Sequence, residues 1–193
     1  MYYLFGGRSW ASNPARLIQA SSIKKHGLWW DDGTSFDAPP QSPVTAKLKP
    51  YDDRNPDMSA EVSEVYKVKV PLFRDDLVVA LKTAGIDNLE LYDAEITDPD
   101  SGQVYTNYKA VNIIGLVAKT DIDKSDAIVH DGISLVDISV DKRIIDKDKT
   151  HDMLLFRMAE NNGAILIHES VRDHLIKAGF TKLEFYNLEE VAL

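Results

Sequence analysis

The sequence predicts an α+β fold: a mixed or antiparallel sheet with two strand–helix–strand units packed on it. Three observations lead there. Residues 70–92, VPLFRDDLVVALKTAGIDNLELY, and 164–186, AILIHESVRDHLIKAGFTKLEFY, echo one another at a constant offset of 94, from Ala84 to Ala178 and from Tyr92 to Tyr186. Each copy reads as an apolar strand, a short amphipathic helix, an Ala-Gly stop and a second strand of pattern Leu-Glu-apolar-Tyr. Between the copies, turn signals separate β-rich runs, which predicts hairpins. At 193 residues, 44% hydrophobic and 27% charged, the chain is ordinary for a globular protein and is read as a single domain over 1–193.

The opening MYYLFGGRSW lacks a basic n-region and a long apolar core, so it reads as a first strand ended by Gly6 and Gly7 rather than as a signal peptide. Residues 1–60 form a Trp- and Pro-rich part that holds Trp10, Trp29 and Trp30. Asn13-Pro14 predicts the start of a short helix over Ala15–Gly27. From Asp31 to Met58, Pro39, Pro40, Pro43, Pro50 and Pro56 predict mostly irregular chain.

The α+β core is expected over 61–193. Val68, Val70 and Leu72 alternate as a strand. Asp75 and Asp76 suit a helix first turn, Leu77, Leu81 and Ala84 recur on one helical face, and Gly85 supplies the stop. Leu89 and Leu91 begin the next strand, DPDSG (98–102) turns it, and VYTNYKAVNIIGLVA returns. Asp131-Gly132, between IVH and ISL, predicts a two-residue hairpin. Residues 141–152 are charged and are expected to be exposed. MLLFRM and AILIH flank AENNG as another hairpin, after which Ser170 is expected to cap a helix with Val171, Leu175 and Ala178 inward. Gly179 ends that helix, and Leu183 and Phe185 mark the last strand. The echo has two explanations that stay open here, a duplication or the spacing that any strand–helix–strand unit shares.

Catalytic motifs fail on spacing. There is no cysteine, hence no disulfide framework, thiolate zinc site or cysteine nucleophile. Asp121, Asp123 and Ser125 open like a calcium loop, but Asp126 and Gly132 stand where it needs Gly and Glu. The five histidines form no zinc motif, and no nucleophile elbow or phosphate loop occurs. No cofactor or metal is expected. A net charge of −9 disfavours nucleic acid, and no apolar run is long enough for a membrane span. The same acidity suits steering toward a basic protein.

One constellation invites a partner. Trp29 and Trp30 beside Asp31 and Asp32 would make a protein-binding hot spot if exposed, and core packing is the competing explanation. With the acidic loop residues Asp121, Asp123 and Asp126, these are the candidate partner-binding residues. The double change Trp30→Ala with Asp31→Ala is therefore expected to weaken binding and leave stability largely intact.

The stretches VPLFRDDLVVALKTAGIDNLELYDAEI, YKAVNIIGLVAKTDID and LLFRMAENNGAILIHESVRDHLIKAGFTKLEFYNLEEV resemble the Imm11-type immunity proteins (DUF1629) of bacterial polymorphic toxin systems. The resemblance covers about residues 60–191 and lies in scaffold motifs. It implies a cytoplasmic, non-enzymatic antitoxin that binds and neutralises a cognate secreted toxin domain; a basic toxin such as a nuclease fits the acidity. The alternatives are a small ligand-binding or enzymatic domain with a site in the Trp-rich N-terminal region, and a structural subunit that self-associates through a sheet edge.

Overall fold

The structure is a computed structural model that describes residues 1–7, 14–118, 127–129, 138–140 and 150–188. In chain order its elements are β1 (Tyr2–Gly6), a 3-10 turn (Ala20–Ser22), β2 (Val44–Lys47), β3 (Val65–Tyr66), β4 (Leu72–Arg74), α1 (Asp75–Thr83), β5 (Leu89–Thr97), β6 (Val104–Ile113) and β7 (Leu116–Val117). Then come β8 (Ala127–Val129), β9 (Ile138–Val140), β10 (Leu155–Met158), β11 (Asn161–His168), α2 (Glu169–Lys177) and β12 (Glu184–Asn187). The fold is α+β, with two mixed five-stranded sheets, β2-β5-β6-β4-β3 and β12-β1-β11-β10-β7, and a β8–β9 pair among the described residues.

The two echoing segments land in different sheets and build the same unit. In the first, β4 and β5 flank β6, antiparallel to both, and β3 pairs with β4. In the second, β11 and β12 flank β1, antiparallel to both, and β10 pairs with β11. The register repeats residue by residue. Leu72, Ala110 and Tyr92 form one row, and Leu166, Leu4 and Tyr186 form its counterpart, so the offset of 94 holds on both outer strands. On the preceding strand the offset is 90: Tyr66 faces Leu72 as Phe156 faces Leu166.

Individual hydrogen bonds repeat too. Tyr108 donates its hydroxyl to the Ser63 carbonyl at 2.5 Å, and Tyr2 donates to the Met153 carbonyl at 2.9 Å. The Arg74 N–H donates to Glu64, and the His168 N–H to Leu154. Both helices begin after an extended residue, Arg74 or His168, and end at a glycine with positive φ, Gly85 at 94° and Gly179 at 97°. Shared helix-stop chemistry would explain the glycines. It does not explain matched cross-strand rows or matched tyrosine hydroxyls.

The units meet through their helices and bury one core. Phe73, Leu77, Leu81 and Val111 from the first unit pack with their counterparts Ile167, Val171, Leu175 and Phe5 from the second. The outer face of the first sheet carries a separate cluster around Leu72, Tyr108 and Ala110, closed by Ile18, Ile23 and Trp30 of the N-terminal segment. The outer face of the second carries Tyr2, Leu4, Phe156 and Leu166.

Several expected elements differ. The helix over Ala15–Gly27 is instead a strap: Ile18 bridges Leu48, and the Gln19 N–H donates to Lys47 at 2.8 Å. Ser22 is the physical reason, because its hydroxyl donates to the Gln19 carbonyl and accepts the Lys47 N–H, offering the backbone partners that a helix would otherwise supply. β2 lies within the Pro-rich stretch, since Pro43 and Pro50 flank it without interrupting it. The strand through Val68–Leu72 splits into β3 and β4 around Pro71, which has no N–H for a ladder. His168 rather than Ser170 caps α2, its ring accepting the Ser170 N–H, and Ala178 is exposed. Thr150 is buried where an exposed run was expected. A turn at Asp131-Gly132 would pair Val129 with Ser134; Val129 pairs with Ile138 instead.

Candidate partner-binding surface

The loop Lys25–Phe36 leaves the strap and crosses the outer face of the first unit. His26 and Gly27, with φ of 54° and 75°, reverse the chain, and the Leu28 N–H closes the turn onto the Lys25 carbonyl at 3.0 Å. The next two side chains part company. Trp30 is 0% exposed, whereas Trp29 is 66% exposed.

Trp30 is thus a core residue, which corrects its assignment to a binding surface. Its ring lies edge-on to Phe36 and Tyr92 with centroids 4.9 and 5.9 Å away, and its indole N–H donates to the Lys25 carbonyl at 3.2 Å. A buried indole needs that acceptor, and the turn supplies it. Removing the ring would leave a large void, so Trp30→Ala is expected to destabilise by about 3–5 kcal/mol. The double change with Asp31 therefore cannot leave stability intact.

Trp29 stands on the solvent side with Lys25 Nζ 5.5 Å from its ring centroid. The same ammonium lies 3.6 Å from Asp31 Oδ1, an oxygen shielded from solvent that accepts no hydrogen bond. Asp32 is exposed. The exposed indole and the Asp31 carboxylate therefore share the Lys25 ammonium. Asp121, Asp123 and Asp126 lie outside the described residues.

The loop is pinned from below. Gly33 has φ of +70°, and a Cβ there would lie 2.7 Å from the Leu116 nitrogen, so only glycine fits. Its carbonyl accepts the Gly115 N–H at 2.8 Å. Leu116, 43% exposed, thereby borders the same loop and widens its apolar surface. Asn112 donates to the Thr34 carbonyl at 2.8 Å and to Glu90 Oε2 at 2.9 Å. That oxygen also accepts the Phe36 N–H at 3.4 Å and the Tyr92 hydroxyl at 3.2 Å. Burial pushes the Glu90 carboxyl up, but hydrogen bonds from Asn112, Ser35, Phe36 and Tyr92 prevail and hold it below its usual range.

Lys25 and Leu116 escaped the sequence reading. Lys25 lies four residues before Trp29, a spacing with no helix to make it meaningful, and Leu116 reaches the loop only through the sheet order. Among the described residues no His, Asp or Glu cluster is arranged to hold a metal, and no helix is long and apolar enough to cross a membrane. What this corner offers is a preorganised aromatic anchor with acidic neighbours. No family model matches the chain, and no curated protein matches it.

Proposed function

We propose that the protein is a non-enzymatic immunity protein of the Imm11 type that neutralises a cognate secreted bacterial toxin domain, in the cytoplasm, by non-covalent complex formation. The observation that supports this best is Trp29: a large aromatic held out in solvent on a loop fixed by Trp30, Gly33 and Asn112. Exposing an indole forgoes burial, and rigidity removes the ordering penalty of association, the two properties of an interface hot spot. Asp31, Asp32 and the net charge of −9 favour a basic partner surface.

The test is to read the neighbouring gene for a secreted protein with a C-terminal toxin domain and to co-express that domain with this chain, followed by co-purification and a measured Kd. Trp29→Ala is expected to leave folding stability within about 0.5 kcal/mol. It should weaken the complex by about 2 kcal/mol or more, as hot-spot truncations do. Rescue and complex formation unaffected by Trp29→Ala with Asp32→Ala would remove this corner as the interface. Failure of the wild-type chain to rescue cells or to co-purify would remove the immunity reading itself. The alternative, a ligand-binding domain in the N-terminal region, is favoured by one observation: a cavity of about 340 Å³ beside Ala15–Ile18.

A further inference from the structure

We propose that this cavity, between the N-terminal strap and the outer edge of β3, is a binding site for a small dianion. It is distinct from the Trp29 corner and does not depend on the antitoxin reading. Its volume of about 340 Å³ is at the lower end of small-molecule pockets. Gly7, Arg16, Lys49, Ser63, Tyr66 and Lys67 are among its walls, and among the described residues no Asp or Glu is. In a chain of net charge −9, a cavity whose described walls hold three cations and no carboxylate runs against the background.

The three cations are not equivalent. Arg16 is 4% exposed, and its charge is met by Asp98 at 3.1 Å and by Asp100. Its Nε also donates to the Lys49 carbonyl at 3.0 Å, so it ties the strap, the chain after β2 and the β5–β6 turn into one wall. Lys49 and Lys67 have no carboxylate within ion-pair distance among the described residues. Neither lysine charge is met by a described carboxylate, so both are available to an anion that enters from the open side, Lys49 from the exposed rim and Lys67 from the wall.

Lys67 shows what a bound anion would relieve. The residue is exposed along its stem, yet its ammonium folds back to donate to the Phe5 carbonyl at 2.6 Å. Burial of that head group, and then the charge of Arg157, push its pKa down to about 8. A dianion beside it would favour the protonated form and bind more tightly to it.

The experiment is calorimetry on the full chain with inorganic phosphate and with malonate, against sodium chloride at matched ionic strength. One saturable site is expected for the divalent anions and none for chloride. Lys67→Gln and Lys49→Gln should each weaken binding at least tenfold, while the surface change Lys69→Gln leaves it unaltered. Affinity should fall as pH rises through about 8, where Lys67 gives up its proton. Phosphate without malonate would define a phosphate site, and malonate without phosphate a dicarboxylate site; either supports the proposal. An unsaturable, purely ionic-strength response, or equal binding by the double variant Lys49→Gln with Lys67→Gln, would overturn it.

A second measurement avoids variants altogether. In limited acetylation of the wild-type protein, read by mass spectrometry, phosphate should slow the modification of Lys67 at least several-fold without protecting Lys69. Equal acetylation of Lys67 with and without either dianion would defeat the proposal as well.

Discussion

The first unit, β3–β4–α1–β5–β6, is continuous in the chain, whereas its counterpart, β10–β11–α2–β12, takes its central strand from the other end as β1. Geometrically the two are near copies, down to Tyr108 and Tyr2 donating to matched carbonyls. As folding problems they differ. The first closes on neighbours in sequence, while the second cannot complete its sheet until the two ends of the chain meet, a long loop closure. They also differ outside the shared core, since Trp30 and the strap lie on the outer face of the first unit alone. The candidate partner surface is supported by Asn112, Glu90 and Tyr92 of the first unit, with Leu116 just beyond it. The lesson is that a repeated scaffold can be told apart by what is laid over one copy.

The largest expected effect tests the borrowed strand. Deleting residues 1–7 removes β1 from between β11 and β12 and takes Phe5 out of the shared core. Loss of the cooperative unfolding transition is expected, read by urea denaturation. If α2 and β12 stay protected in hydrogen exchange after the deletion, β1 is not the counterpart of β6.

Next are the matched leucines. Leu81 and Leu175 occupy the same position on α1 and α2, both fully buried in the common cluster. Each change to Ala is expected to destabilise by about 2–5 kcal/mol, with the pair close to one another in size. A large disparity would show that the shared core is packed asymmetrically and would weaken the equivalence drawn from register.

These units were partly legible in sequence. Leu81, Gly85 and Tyr92 against Leu175, Gly179 and Tyr186 gave the offset of 94, because helix stops and inward leucines are local necessities. That Ala110 and Leu4 are equivalent was not legible, since neither strand lies within the echoed segments and only pairing reveals it. The strap was misread as a helix because the Ser22 hydroxyl acts through Lys47, a residue distant in sequence. At the candidate surface, residue type pointed to Trp29 and Trp30 but could not say which one faces water. That follows from the Lys25 turn and from the aromatic pocket of Phe36 and Tyr92.

A smaller effect probes the matched hydroxyls. Tyr108→Phe leaves the buried Ser63 carbonyl without its donor, and Tyr2→Phe does the same to Met153 in a less buried setting. Each is expected to cost about 0.5–1.5 kcal/mol, with Tyr108 the larger. Equal stability of both variants with wild type would mean that these bonds are replaced by water.

The smallest expected effect separates scaffold from overlay, and it is a pH dependence. Tyr92 donates to Glu90 as Tyr186 donates to Glu184, so the echo repeats this contact as well. Only Glu90 faces an asparagine across the ladder, Asn112, where Glu184 faces Gly6. With the Phe36 N–H this gives Glu90 a depressed folded pKa, against an ordinary value of 4.5. A depressed carboxylate stabilises the fold at pH above its unfolded value, and that contribution is lost as pH falls through the lower folded value. The stability gap between wild type and Glu90→Gln should therefore narrow on acidification from about pH 6 to about pH 3. The Trp29 loop should loosen in parallel, as read by Trp29 fluorescence. Glu184→Gln separates the causes: an identical narrowing there would assign the effect to the repeated Tyr–Glu contact, and its absence would assign it to the loop pinned over the first unit.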